Sequence, residues 1–196
     1  MQVMSWIALV LAIATAQPVG SAGPTVGAAA PAFSNVGADG HTYSLESLKG
    51  KWIVLEWYSP SCPFTRAHYD SGAMPQRQRV WTSKGVVWLS ISTSARIERA
   101  TAFARSTGGA ATALLDDLEA KTAMAYQAKT TPHMFVIDPK GVLIYQGAFD
   151  DRPESDRVSA PERRNFVDDA LSSAMAGRPV ETPVTRPYGC AVHYAQ

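Results

Sequence analysis

The sequence predicts an α/β fold: a central mixed sheet flanked by helices, opened by a strand–turn–strand and closed by a tail. Three observations carry this. Residues 52–58 and 85–91 are apolar runs continuous enough to be strands buried on both faces. Helical patterns follow each of them. Residues 134–138 and 142–145 flank Pro139-Lys140-Gly141 as a hairpin. In chain order, residues 33–43 read as strand, turn and strand, with Ala38-Asp39-Gly40 supplying the turn. A short helix is expected over 44–49, ending at Gly50. The strand at 52–58 is interrupted by one carboxylate, Glu56. After Pro60 and Pro63 a helical pattern runs to about Ser83, with a break expected at Pro75. The strand at 85–91, a helix over 95–106, a short strand at 113–115 and a helix over 119–126 follow. Residues 150–159 form a charged loop. Ser159 and Glu162 have capping-box spacing, and Phe166, Val167, Ala170, Leu171, Ala174 and Met175 recur at helical spacing up to Gly177.

Composition narrows the function classes. The 196 residues carry 18 basic and 17 acidic side chains, a balance that argues against a nucleic-acid partner. Two cysteines exclude a zinc-ribbon cluster and a dense disulfide framework. No charged side chain precedes Asp39. Residues 3–14 are apolar, too short for a spanning helix of roughly 20 residues. They run into Ala14-Thr15-Ala16, with a second small-x-small site at Gly20-Ser21-Ala22. This pattern predicts a secretory signal peptide at 1–22, cleaved after Ala16 or Ala22. An uncleaved anchor and a buried helix are the alternatives. A linker is expected at 23–32, the working domain at 33–177, and a tail carrying Cys190 at 178–196. The expected location is periplasmic or secreted, with membrane contact only through an uncleaved leader.

Cys62 lies between an apolar strand and a helix, so it meets the unsatisfied N–H groups and positive dipole end that lower a thiol pKa. Arg66 is one turn on, where it can add positive charge to the same face. Thr65 is within reach of the sulfur. A thiolate attacks disulfides and peroxides; the alternative is an inert buried cysteine. Glu56 in a buried strand is either pushed toward its neutral form or held by a basic partner. Cys190 can resolve an intermediate on Cys62, clamp the tail in a static disulfide, or bridge two chains.

The run Glu56-Trp57-Tyr58-Ser59-Pro60-Ser61-Cys62-Pro63 resembles the thioredoxin-like superfamily. The opening strand–turn–strand is similar to its redoxin branch of alkyl hydroperoxide reductase/thiol-specific antioxidant-like proteins and exported thiol–disulfide reductases. Thr131-Pro132 resembles the family's Thr and cis-proline facing the active-site cysteine. The resemblance covers residues 31–177 and implies a thioredoxin-like fold, with Cys62 and Cys190 reactive and Glu56 relaying protons. It implies supporting roles for Ser59, Pro63, Thr65, Arg66, Thr131, Pro132 and His133. His133 is expected to contact substrate or thiolate, or to be a satisfied loop histidine. The sequence departs from the family at three places: Thr65 replaces the second cysteine of a CxxC pair, Leu55 stands where peroxiredoxins have proline, and Pro132 where they have arginine. The expected function is a thiol-dependent oxidoreductase acting on a disulfide or peroxide, re-reduced by an unidentified thiol donor, with no cofactor and no metal. Two other readings are copper handling through Cys62, His68, His133, Cys190 and His193, and a non-catalytic binding module. Arg66 occupies the partner position of the copper chaperones' CxxxC pair.

Overall fold

The computed structural model describes residues 23–152 and 164–194. The expected leader and the Ser159/Glu162 capping box lie outside them. β1 (Ser34–Val36) pairs antiparallel with β2 (Thr42–Ser44). There follow β3 (Ile53–Trp57), α1 (Pro63–Asp70), α2 (Ala73–Thr82), β4 (Val87–Ser92), α3 (Ile97–Ser106), β5 (Ala113–Asp116) and α4 (Lys121–Tyr126). The chain continues with β6 (Thr130–Thr131), β7 (His133–Ile137), β8 (Leu143–Gly147), α5 (Phe166–Met175) and β9 (Cys190–Ala191). The main sheet has the order β5-β4-β3-β7-β8. β3, β4 and β5 run parallel, while β7 and β8 join antiparallel, so the sheet is mixed as expected.

β3 is central and every one of its five residues is buried. Its alternation divides the core. Ile53, Leu55 and Trp57 face a cluster with Leu89, Phe135 and Ile137, closed by Tyr126 and Ala123 of α4 and by Phe33. Val54 faces the other cluster, with Trp88 and Val136, closed by Tyr69, Met74 and Trp81 of α1 and α2 and by Val167 and Leu171 of α5. Each such apolar side chain contributes about 1.5–3 kcal/mol on burial. That double cover is why the strand carries no period-two alternation of polar residues.

Three local expectations are corrected. Over the expected helix at 44–49, Ser44 ends β2 and residues 45–49 form turns. Ser44 and Ser47 hydroxyls take up neighbouring backbone groups there, an alternative to the helical ladder. The break in the long helical pattern comes at Gly72, not Pro75. Gly72 has φ +78, which ends α1 and starts α2, and Pro75 then falls in the first turn, where its missing N–H has no partner to lose. The N-cap of α5 is Asn165, whose side chain accepts from the Asp168 N–H at 2.9 Å.

Candidate active site

The chain leaves β3 through Tyr58–Ser61 and enters α1 at Cys62. Cys62 is the N-cap, in extended conformation, and Pro63 is the first helical residue, where a missing N–H costs nothing. The Cys62 N–H donates to the Ser59 carbonyl at 3.1 Å, which closes the turn. Ser59 Oγ accepts from Ser94 Oγ at 2.9 Å, tying the turn to the loop after β4. The Thr131–Pro132 bond is cis, and Thr131 presents its carbonyl to Cys62 Sγ at 3.0 Å, where the protonated thiol donates.

The tail completes the site. β9 pairs antiparallel with β6, setting Cys190 opposite Thr131, and the Val192 N–H donates to Lys129 O at 3.0 Å. A Cβ on Gly189 would lie 2.1 Å from the Thr131 carbonyl oxygen, so only glycine permits this approach. Cys62 and Cys190 are both free thiols and hydrogen-bond to one another. Burial pushes the Cys62 thiol up. The neighbouring Cys190 thiol and Thr131 side chain and the N–H groups of Thr65 and Cys190 favour the anion and together outweigh burial, so its pKa is lowered, although the Thr131 hydroxyl makes no hydrogen bond to the neutral thiol. Cys190 is pushed up to about 12 by burial, by its hydrogen bond to Cys62 and by the charge on Cys62; the Phe64 N–H opposes these. The first turn of α1 therefore addresses both sulfurs, Thr65 N–H to one and Phe64 N–H to the other. The surroundings thus favour the anion at Cys62 and the neutral thiol at Cys190.

A cleft of about 230 Å³ opens beside the two sulfurs, lined by Ser59, Ser61, Thr93, Ser94 and Thr131 and by the exposed His193. Cys62 itself is only 2% exposed. The remaining expected residues separate. Thr65 serves Cys62 through its backbone N–H, while its buried hydroxyl has no hydrogen-bond partner. Arg66 turns away: its guanidinium reaches the Pro60 carbonyl at 3.3 Å and lies over the Phe103 ring. The i+4 spacing held, but the side chain found an aromatic face and a carbonyl instead of the sulfur.

His133 also lies outside the cleft. Its Nδ1 accepts from the Lys129 N–H at 3.1 Å, and its ring packs on Phe135 with centroids 4.4 Å apart. Burial, with the Lys129 charge, lowers its pKa to about 3, so it is a neutral core histidine. Glu56 belongs to a third place. Tyr69 Oη donates to its Oε1 at 2.9 Å; Gln78 Nε2, Trp88 Nε1 and Ser90 Oγ donate to its Oε2 at 3.0, 2.8 and 2.9 Å. Burial still pushes its carboxyl above the ordinary value, against those four donors. Among the described residues no basic side chain bonds to it, and none of its four partners lines the cleft beside the sulfurs.

The candidate copper ligands are only partly gathered: Cys62, Cys190 and His193 line the cleft, while His68 and His133 do not. Among the described residues no three His, Cys, Asp or Glu side chains converge as a metal site. His68 is engaged elsewhere, its Nε2 3.0 Å from Tyr188 Oη. Sequence reasoning missed Arg99, whose Nη2 donates to Ser61 Oγ at 3.1 Å on the rim of the cleft. It also missed the contact of Tyr188 with His68. Both depend on segments far apart in the chain, and no local pattern signals them.

A model of the AhpC/TSA family matches residues 26–146. That span includes Cys62, Thr131 and Pro132 and ends before α5 and the tail with Cys190. No curated protein matches the sequence. Among solved structures, a hypothetical protein from Sinorhizobium meliloti 1021 aligns at TM-score 0.76 with 22% identity, over 89% of this chain and 97% of that one. An uncharacterized conserved protein from Geobacillus kaustophilus aligns at 0.76 with 23% identity, over 87% and 93%. The thioredoxin domain of a thiol-disulfide oxidoreductase from Bacteroides vulgatus aligns at 0.53 with 19% identity, over 62% and 87%. These likenesses show the thioredoxin-like fold. The first two extend across nearly the whole of their own chains.

Proposed function

This chain belongs to the AhpC/TSA family, and from that premise we propose that it is an exported thiol-dependent oxidoreductase in which Cys62 and Cys190 cycle between dithiol and disulfide. The observation that carries the reading is the pair of hydrogen-bonded thiols at the N-terminus of α1, one with a lowered and one with a raised pKa. Cys62 is the attacking thiolate, because only a deprotonated sulfur is nucleophilic. With a peroxide, an S–O bond forms, the O–O bond breaks, and the departing hydroxide is protonated to water. Cys62 is left as a sulfenic acid. With a disulfide, the sulfur of Cys62 joins one half and the other half leaves as a thiolate.

The second step falls to Cys190. Its proton is held partly by the negative charge on Cys62. Oxidation of Cys62 removes that charge, so Cys190 ionises more readily once it has an intermediate to attack. An S–S bond then forms between the two cysteines and hydroxide or the second thiolate leaves. A thiol donor returns the pair to the dithiol. Ser59, Pro63, Thr65, Thr131 and Pro132 shape and charge the site; the export half of the proposal rests on the apolar run 3–14 and its small-x-small sites.

The test is consumption of hydrogen peroxide and of hydroxyethyl disulfide by wild type, Cys62→Ser and Cys190→Ser. Wild type forms an internal disulfide with one equivalent of either oxidant. Cys190→Ser accumulates a sulfenic acid or mixed disulfide on Cys62, and Cys62→Ser consumes neither. Equal consumption by wild type and Cys62→Ser would remove the reading.

A further inference from the structure

The tail is fixed at a point outside the dithiol itself. Tyr188, two residues before Cys190, reaches a buried pair on the body of the domain. Its hydroxyl donates to Asp150 Oδ1 and stands 3.0 Å from His68 Nε2. His68 Nδ1 lies 3.8 Å from Asp150 Oδ2, and the two side chains are 1% and 2% exposed. A buried histidine–carboxylate pair is costly to maintain unless other groups satisfy it, and the tyrosine hydroxyl takes part in doing so. His68 is on α1, the helix whose first turn addresses both sulfurs. The Tyr188 ring also lies against Phe64, with centroids 6.1 Å apart, and the Phe64 N–H faces Cys190. One side chain thus ties the segment carrying Cys190 to the helix carrying Cys62.

We propose that Tyr188 is the positioning residue of the dithiol: gripped by His68 and Asp150, it holds the short β9 segment against β6 and keeps Cys190 at Cys62 for sulfur–sulfur exchange. β9 is only two residues long and its ladder with β6 has two residue pairs. Other tail anchors, Thr185 on Gln146 and Ala148 and the Val192 N–H and Tyr194 hydroxyl on the Lys129 and Ala128 carbonyls, reach the sheet and the loop after α4. Among these contacts Tyr188 is the one that ties the tail to α1. The gain is effective concentration. A sulfur held in place converts resolution from a search by a loose tail into a reaction between neighbours. This rests on the dithiol reading above, and it assigns no chemistry to Tyr188. The reacting bonds are those already given, between Cys62 and Cys190, with a peroxide or disulfide as oxidant.

The experiment compares wild type with Tyr188→Phe, which keeps the ring and removes the hydroxyl. Each protein is equilibrated in glutathione redox buffers and its internal disulfide is quantified by mass. The expected result is a loss of about tenfold or more in the equilibrium constant for the Cys62–Cys190 disulfide. For this two-electron couple that is a potential about 30 mV less negative. Far-UV circular dichroism of Tyr188→Phe matches wild type, which a general loss of structure would not allow. Should Tyr188→Phe fail to fold, His68→Gln removes the same grip from the helix side and is measured instead. A folded variant with the wild-type potential overturns the positioning role alone. A wild-type protein that forms no internal disulfide overturns both this role and the dithiol reading.

Discussion

Cys62 and Glu56 stand six positions apart on one stretch of chain, both buried, and four neighbouring groups favour the anion at each. Their pKa values nonetheless move in opposite directions relative to their protonated forms. The Cys62 thiol is lowered and favours the anion; the Glu56 carboxyl is raised and favours the neutral acid. Counting such groups therefore does not decide the outcome. Cys62 borders a cleft at the end of the sheet; burial is the largest single influence on it, and the opposing groups, helix N–H among them, together outweigh it. Glu56 is enclosed by Tyr69, Gln78, Trp88 and Ser90 in the middle of the sheet, where desolvation exceeds what they return.

The comparison breaks most sharply at Glu56. Glu56→Ala leaves four buried donors without their acceptor, each costing about 1–3 kcal/mol. The expected loss, by urea denaturation at pH 7, is at least roughly 4 kcal/mol, and a loss under about 1 kcal/mol would show the network to be idle. Glu56→Gln is milder and tests the sign. Because the folded carboxyl is raised, its contribution is fully present below the unfolded value near 4.5 and is lost as pH rises through the folded one. Wild type should weaken with rising pH in that window and Glu56→Gln should not.

His133 provides the opposite slope. Its folded pKa of about 3 lies below the unfolded value of 6.5, so its contribution is present above 6.5 and is lost as pH falls toward 3. At about 1.4 kcal/mol per pH unit this loss is on the order of 5 kcal/mol. His133→Phe, which keeps a ring against Phe135, should flatten the acid limb of a stability–pH curve. An unchanged acid limb would mean that the histidine is already protonated in the fold.

Smaller effects sharpen the Cys62 side. Cys190→Ser removes a thiol donor, so the pH midpoint of Cys62 alkylation by iodoacetamide should shift by roughly one unit or less. A midpoint at or above about 8.5 in wild type would contradict a stabilised thiolate. Arg66→Gln should change the alkylation rate less than about twofold, because the exposed guanidinium is directed at Pro60 and Phe103. A tenfold fall would restore the electrostatic role that its spacing suggested.

Much of the architecture was legible because it is local. The unbroken apolar run of β3, the hairpin of β7 and β8, and the Cys62-Pro63 helix entry each state their structure within a few residues. The same holds for Thr131-Pro132, whose cis bond was expected from the resemblance of a short motif. Local reading failed where two solutions compete over short range. Serine hydroxyls replaced a helix by turns at 45–49, and Gly72 broke the helix before Pro75 could. It failed differently at Arg66 and His133, whose positions were right and whose directions were set by Phe103, Pro60 and Phe135.

By itself the sequence determined that a cysteine would begin a helix at the end of a buried central strand, with a second cysteine far along the chain. Backbone propensity and hydrophobic patterning act over a few residues and need no tertiary partner. Only the tertiary structure decided that Cys190 stands at Cys62, that Tyr188 reaches His68 and Asp150, and that Glu56 is enclosed by Tyr69, Gln78, Trp88 and Ser90. Those outcomes depend on which side chains share a cavity, and on the balance of desolvation against hydrogen bonds there, a balance that exists only once distant segments are packed together.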